Sequence, residues 1–228
     1  MDIQFANVET PTNYQEKCLC VLVLDISGSM RGNRLDALNE GLQTFYQDIK
    51  QNYTLMDALE IAIITFDGDV NRVLEPALVD HIEMPVLVST GGTTNLVGGI
   101  KEAIKMVEER KQFYRDNGIS YKRPWIIPMT DGSPTNSWRE INRISKAVNQ
   151  GMKDNSFHFF AIGVKVNQSA LSTLNKISSP TVPAAQLDGI RFSDFFQWLS
   201  NSMDKVSHSR EGDKVELEVP TWMLGFSG

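Results

Sequence analysis

Asp25-Ile26-Ser27-Gly28-Ser29 sets one carboxylate and two hydroxyls within five residues. The segment closes an apolar run, Cys18 to Leu24, and a helical pattern follows it. A buried strand running into Asp-x-Ser-x-Ser gathers those oxygens in one tight loop, and Gly28, lacking a Cβ, lets that loop turn sharply. Hard oxygen donors converging at the carboxyl end of a parallel strand suit Mg²⁺, which takes oxygen ligands in a near-octahedral shell and keeps several waters. Strand carboxyl ends are also where open α/β sheets bind their ligands. Two further segments could complete such a site. Gly91-Gly92-Thr93-Thr94-Asn95 opens a helical pattern, and Ile126-Ile127-Pro128-Met129-Thr130-Asp131-Gly132 is a second apolar run ending in a carboxylate and a glycine.

The elements around these segments alternate apolar strands with amphipathic helices, the pattern of a mainly parallel sheet covered on both faces. Strands are predicted at about Cys18 to Leu24, Leu59 to Phe66, Pro124 to Met129 and Phe157 to Val164, with a short last one near Ala184 to Leu187. Asp67-Gly68-Asp69 reads as a hairpin turn, with Asn71 to Leu74 returning antiparallel as an edge strand. Helices are predicted over about Arg34 to Lys50, Leu96 to Arg115, Trp138 to Met152, Ser169 to Ile177 and Phe192 to Val206. In the first, Leu35, Leu38, Leu42, Phe45 and Ile49 recur at three and four, one apolar stripe. In the second, Glu108, Glu109, Arg110 and Lys111 read as solvent-facing. Asn136 or Ser137 is placed to cap the helix after Asp131.

Composition narrows the function. The 228 residues are 41% apolar and 22% charged, ordinary for a soluble globular protein, and net charge is −6. That balance argues against nucleic acid, which calls for a basic face. No apolar run approaches the ~20 residues that span a bilayer, so no membrane partner is expected. The first residues lack the basic and apolar regions of a secretory signal, and the chain reads as cytoplasmic. Cys18 and Cys20 lie two apart on a strand, on one face, and read as small buried residues with reduced thiols. Residues 1–16 are expected as an N-terminal extension and 17–207 as one domain. Residues 208–228 are expected as a tail, with Val215, Leu217 and Val219 alternating with charges, docked on its own domain.

Asp-x-Ser-x-Ser, a Gly-Gly-Thr loop and Thr-Asp-Gly, in that order, resemble the metal-ion-dependent adhesion site of von Willebrand factor type A (vWA) domains, over about Lys17 to Val206. The resemblance implies an α/β, Rossmann-like vWA fold: a central, mostly parallel sheet with one antiparallel edge strand and helices on both faces. It implies a metal-dependent protein-binding module and no catalysis. Asp25 would anchor Mg²⁺ (Mn²⁺ or Ca²⁺ being alternatives), Ser27 and Ser29 would ligate through hydroxyls, and Asp131 would stand opposite, directly or through water. Thr94 is preferred from the second loop because it precedes Ile100 by six residues, as the family's threonine precedes its first helical apolar residue; Thr93 is the alternative. A protein partner would supply an acidic side chain to the metal. Ser133, Pro134 and Thr135 would form the lip, with Trp138 nearby. The Gly-Gly-Thr-Thr-Asn loop looks most like bacterial TerY-type domains of tellurium resistance and stress response, which are associated with kinase- and phosphatase-like partners.

Each motif alone reads as a turn; their order carries the metal-site reading. The rival from another class is a phosphotransferase or phosphatase with an aspartyl nucleophile. It too has an Asp ending the first strand, but its general acid would be a second Asp at position 27, where this chain has Ser27. Nucleotide-binding glycine patterns are incomplete. No Gly-x-Ser-x-Gly elbow accompanies the histidines His81, His158 and His208.

Overall fold

In the computed structural model, the described residues are 15–180, 182–187, 191–209 and 223–224. The polar stretch 1–14 and the alternating Val215, Leu217 and Val219 lie outside them.

The first strand, β1 (Cys18–Asp25), is buried along its whole length. Its side chains alternate between two cores: Cys18, Cys20, Leu22 and Leu24 face one, and Leu19, Val21 and Val23 the other. Burial on both faces explains why the run reads as continuously apolar instead of alternating. Both cysteines are buried free thiols, and burial pushes that of Cys18 up to about 12. Beside β1 run β2 (Leu59–Phe66) and, on its other side, β4 (Trp125–Thr130), both parallel to it. β3 (Val70–Leu78) returns antiparallel on the outside of β2, the expected edge strand. Beyond β4 come β5 (His158–Phe159) and β6 (Ile162–Val164), then β7 (Ala185–Leu187). β8 (Met223–Leu224) pairs antiparallel with β7, so an antiparallel strand stands at this edge as well.

Helices cover both faces. α1 (Asn33–Lys50), α2 (Tyr53–Ala58) and α6 (Phe192–His208) pack on the core that includes Leu22 and Leu24. α3 (Leu96–Asp116), α4 (Trp138–Lys153) and α5 (Gln168–Ile177) pack on the other. The stripe predicted for α1 is the buried face of that helix. Gly99 brings α3 hard against the sheet: a Cβ there would lie 2.8 Å from Val23 Cγ1 and 3.0 Å from the Phe66 ring. Among the described residues no helix is long and apolar enough to cross a membrane.

Three details depart from the sequence reading. The strand expected over Phe157 to Val164 is split into β5 and β6. Phe160 N–H donates to the Ile126 carbonyl at 3.0 Å, and the next rung of a parallel ladder would come from the N–H of residue 128. That residue is Pro128, which has none, so the ladder breaks there. α2 was not expected; six residues are too few for a periodic signal, and Asn52 caps it by accepting from Leu55 N–H at 3.2 Å. Arg110, expected in solvent, instead reaches Glu60 with two hydrogen bonds of 2.7 and 2.5 Å.

Candidate functional site

Strand register brings the three motifs together. Asp25 stands opposite Phe66 on β2, and Leu24 stands opposite Met129 on β4. The carboxyl ends of β1, β2 and β4 therefore finish at one level, and the loops beyond them meet. From β1 the chain crosses to β2 on one side and later to β4 on the other. The crevice between β1 and β4 is thus a switch point of the sheet, the place where open α/β sheets bind their ligands.

Asp25 is fully buried. Its Oδ1 accepts the Ser27 N–H at 2.8 Å and its Oδ2 accepts the Thr130 hydroxyl at 2.5 Å. Burial pushes the Asp25 carboxyl up from its ordinary value and the Asp131 charge pushes the same way, while the Ser27 and Thr130 hydrogen bonds oppose them. The Ser27 and Ser29 hydroxyl oxygens lie 3.2 Å apart, and the Ser29 hydroxyl donates to Asp131 Oδ1 at 2.6 Å. A Cβ on Gly132 would sit 3.6 Å from Ser29 Oγ and 3.8 Å from Thr94 Oγ1, so the Thr94 hydroxyl closes the ring. That hydroxyl belongs to a buried residue and makes no hydrogen bond among the described residues. Thr93 turns away: it is exposed, and its hydroxyl oxygen faces Gly68, 3.5 Å from where a Cβ would be. Asp25, Ser27, Ser29, Thr94 and Asp131 are thus assembled at one place.

The surrounding loops are held by their own hydrogen bonds. Gly28 N–H donates to the Gly92 carbonyl at 3.3 Å, and the Ser89 hydroxyl to the Ser27 carbonyl at 3.1 Å. The Thr94 carbonyl accepts from Thr135 N–H at 3.0 Å and from the Thr135 hydroxyl at 3.2 Å. Ser137 caps α4 in a reciprocal box with Glu140. Asn136, the other candidate cap, serves α3 instead: its Oδ1 accepts Val97 N–H at 3.1 Å and its Nδ2 donates to Asn95 Oδ1 at 2.9 Å. Ser133 and Thr135 are exposed and Pro134 partly so. Trp138 is 61% exposed, with Lys176 Nζ 5.3 Å from its ring centre.

Two site residues escaped the sequence reading. Asp67, read only as part of a turn, is buried. Burial pushes its carboxyl up, but hydrogen bonds from Thr90 and from the N–H groups of Asp69 and Gly92 outweigh that and hold it below the ordinary value. Its backbone carbonyl takes Asn95 N–H at 2.7 Å, so Asp67 positions the Gly-Gly-Thr-Thr loop. Its signal was its place, a carboxylate ending a second buried strand. The other is Arg34, whose Nη1 donates to Asp131 Oδ2 at 2.5 Å and to the Ser29 carbonyl at 3.0 Å. A cation in the first turn of a helix opposes the helix dipole, and that mismatch was its signal.

The donor set is two carboxylates and three hydroxyls. Among the described residues no group of three or more His, Cys, Asp or Glu is placed to hold a metal. The oxygens available here are hard donors, matched to Mg²⁺ or Ca²⁺ and poorly to the softer transition metals.

Comparisons agree with this architecture. Inter-alpha-trypsin inhibitor heavy chain H1 of Bos taurus is 27% identical over 151 residues, covering 65% of this chain and 16% of that protein. The chain thus spans about a sixth of the length of the curated relatives it matches. The pilus adhesin SpaC from Lactobacillus rhamnosus GG shares the fold, with a TM-score of 0.66, 17% identity, and coverage of 85% of this chain and 31% of that one. So does the vWF domain of the type V pili tip protein Mfa5 from Porphyromonas gingivalis, with a TM-score of 0.60, 12% identity, and coverage of 87% of this chain and 99% of that one. The sequence profile described as "von Willebrand factor type A domain" matches residues 20–133, from within β1 to the loop after β4. The chain belongs to the von Willebrand factor type A domain family.

Proposed function

We propose that this domain is a metal-dependent protein-binding module, with Asp25, Ser27, Ser29, Thr94 and Asp131 holding a divalent cation, Mg²⁺ first. Domains of this family commonly mediate protein interactions. The observation that carries the metal reading is the convergence of these oxygens at the β1–β4 crevice, with the Thr94 hydroxyl making no hydrogen bond among the described residues. When bound, the cation supplies a Lewis-acidic position at which an acidic side chain of a partner completes the shell. The protein's residues set that position. Thr130 and the Ser27 N–H fix the Asp25 carboxylate, Ser29 and Arg34 fix Asp131, and Asp67 fixes the loop that presents Thr94.

The geometry favours binding over phosphoryl transfer. Asp25 is fully buried and each of its oxygens accepts a hydrogen bond, which lowers its nucleophilicity toward phosphorus while leaving a lone pair on each for a cation. Ser27 supplies no general acid, which such chemistry needs to protonate the leaving group. The TerY-type likeness makes kinase- and phosphatase-like proteins the first partners to try, in the cytoplasm. The test is a pull-down in Mg²⁺, in chelator, and with Asp25→Ala. Capture that survives chelator and the variant alike would refute the metal reading. Phosphate-ester turnover abolished by Asp25→Asn would replace it with the enzymatic one.

A further inference from the structure

Arg34 brings a permanent positive charge into contact with a residue of the metal set. Its guanidinium lies 2.5 Å from Asp131 Oδ2, and the Asp131 side chain is fully buried while that of Arg34 is 36% exposed. The same Nη1 holds the Ser29 carbonyl at 3.0 Å, so Arg34 spans both walls of the crevice. Its position at the start of α1 is unfavourable for a cation on helix grounds, and the ion pair with Asp131 offsets that. Asp131 has its second oxygen engaged by Ser29. Arg34 therefore acts on the site through Asp131 and leaves the hydroxyl ring untouched.

Charge counting gives the consequence. At the ligand positions, Asp25 and Asp131 contribute two negative charges and Arg34, in contact with Asp131, returns one positive, leaving that set at −1, with the Asp67 carboxylate behind the Gly91–Thr94 loop and outside it. A divalent cation brings it to +1, whereas without Arg34 it would reach zero. A centre at +1 holds its cation less tightly alone and attracts an anionic ligand more strongly, because both interactions are Coulombic at short range. Arg31 adds to the field at the mouth: it is exposed and lies against Gly91, where a Cβ would come within 2.1 Å of Nη2. Gly91, at φ +87°, leaves that space open.

We infer that Arg34 is a positioning residue that couples the two binding events: it weakens metal binding in the free protein and makes it responsive to a carboxylate from the partner. This rests on the metal reading above. The test measures Mg²⁺ binding by calorimetry in chloride and in acetate at equal ionic strength, acetate standing in for the partner's carboxylate. Wild type should bind Mg²⁺ more tightly in acetate. Arg34→Gln should bind it on the order of tenfold more tightly in chloride, about 1.4 kcal/mol, and lose most of the acetate response. Arg34→Lys, which keeps the charge, should behave as wild type. If Arg34 served only to hold the loops together, Arg34→Gln would bind Mg²⁺ more weakly, and that result would overturn the inference. Should Arg34→Gln not fold, an acetate response missing from wild type would overturn it equally. Asp25→Ala separates the two levels. Wild-type binding lost in Asp25→Ala upholds the metal site whatever Arg34 does. Absence of Mg²⁺ binding in wild type removes both.

Discussion

Two buried carboxylates sit on neighbouring strands of this sheet and are treated in opposite ways. Glu60, second residue of β2, is 3% exposed and lies against a guanidinium of its own chain, with Arg110 bonded to both of its oxygens and Tyr114 donating at 2.5 Å. Asp25, last residue of β1, is equally buried but receives only neutral donors, with Asp131 close by. Burying an ion is expensive unless a counter-charge goes with it. Glu60 carries its counter-charge permanently, and burial followed by the Glu60 charge pushes the Tyr114 phenol well up, so it stays a donor. Among the described residues Asp25 touches no cation. The amino end of the sheet is electrostatically closed, whereas at the carboxyl end Asp25 has no counter-charge among the described residues.

The most damaging way to probe that contrast is at the closed end. Arg110→Ala should destabilise the fold by about 3–5 kcal/mol, since it strands a buried carboxylate. Urea unfolding reads this directly, and added Mg²⁺ should not restore the loss. A change below about 1 kcal/mol would show that Glu60 is relieved by protonation or water and that the closed end is not closed.

At the open end the expected effect depends on metal. Wild type should gain about 2.7 kcal/mol when Mg²⁺ is raised to a hundred times its dissociation constant. Asp25→Asn keeps the shape and an acceptor oxygen, so in chelator its stability should stay within about 1 kcal/mol of wild type. It should gain nothing from Mg²⁺. Equal Mg²⁺ stabilisation of both proteins would move the cation away from Asp25.

His158 shows a third solution, in which a half-buried group is held neutral. It lies beside Trp125, ring centres 5.6 Å apart, and its imidazole is pushed down to about 4, first by burial and then by the Arg123 charge. Between its unfolded value near 6.5 and about 4, the unfolded chain binds the proton and the folded chain does not. Its contribution is therefore fully present above the unfolded value and is lost as pH falls toward the folded one. The bound is about 3 kcal/mol, and about 1–2 kcal/mol is expected for a partly exposed ring. His158→Phe should lose correspondingly less stability than wild type between pH 7 and pH ~4.5. Matching losses would mean that other groups carry the acid sensitivity.

What was readable in the sequence was whatever repeats or stands adjacent. The α1 stripe, the limits of β2 and the Asp25–Ser27–Ser29 loop are local patterns, and they stand in the structure where they were read. Pairings between distant residues leave no periodic trace. Arg34 and Asp131 are 97 positions apart and Glu60 and Arg110 are 50 apart. A charge inside the apolar run of β2, or at the wrong end of a helix, signals that a partner exists without saying which. The split of β5 from β6 had its cause one strand away, at Pro128, where a missing donor matters only once the strands are known to be neighbours.

The finest test lies between two adjacent threonines of nearly identical local sequence. The sequence reading chose Thr94 over Thr93 by a distance to Ile100. The structure separates them physically, since Thr94 is buried beside Ser29 and Gly132 while Thr93 is exposed toward Gly68. Valine removes the hydroxyl and keeps the branched shape, so each substitution asks only about one oxygen. Thr94→Val should weaken Mg²⁺ binding on the order of tenfold, about 1.4 kcal/mol. Its stability in chelator should hold within about 1 kcal/mol, because the lost hydroxyl gives up no hydrogen bond within the described residues. Thr93→Val should leave Mg²⁺ affinity unchanged, because its hydroxyl faces the β2–β3 turn. Calorimetric titration of the two variants side by side decides it. A reversed pattern would place the ligand one residue earlier and require the loop to turn over when metal binds. Equal affinities in both would leave the cation with Asp25, Ser27, Ser29 and Asp131 alone, and would remove α3 from the metal site.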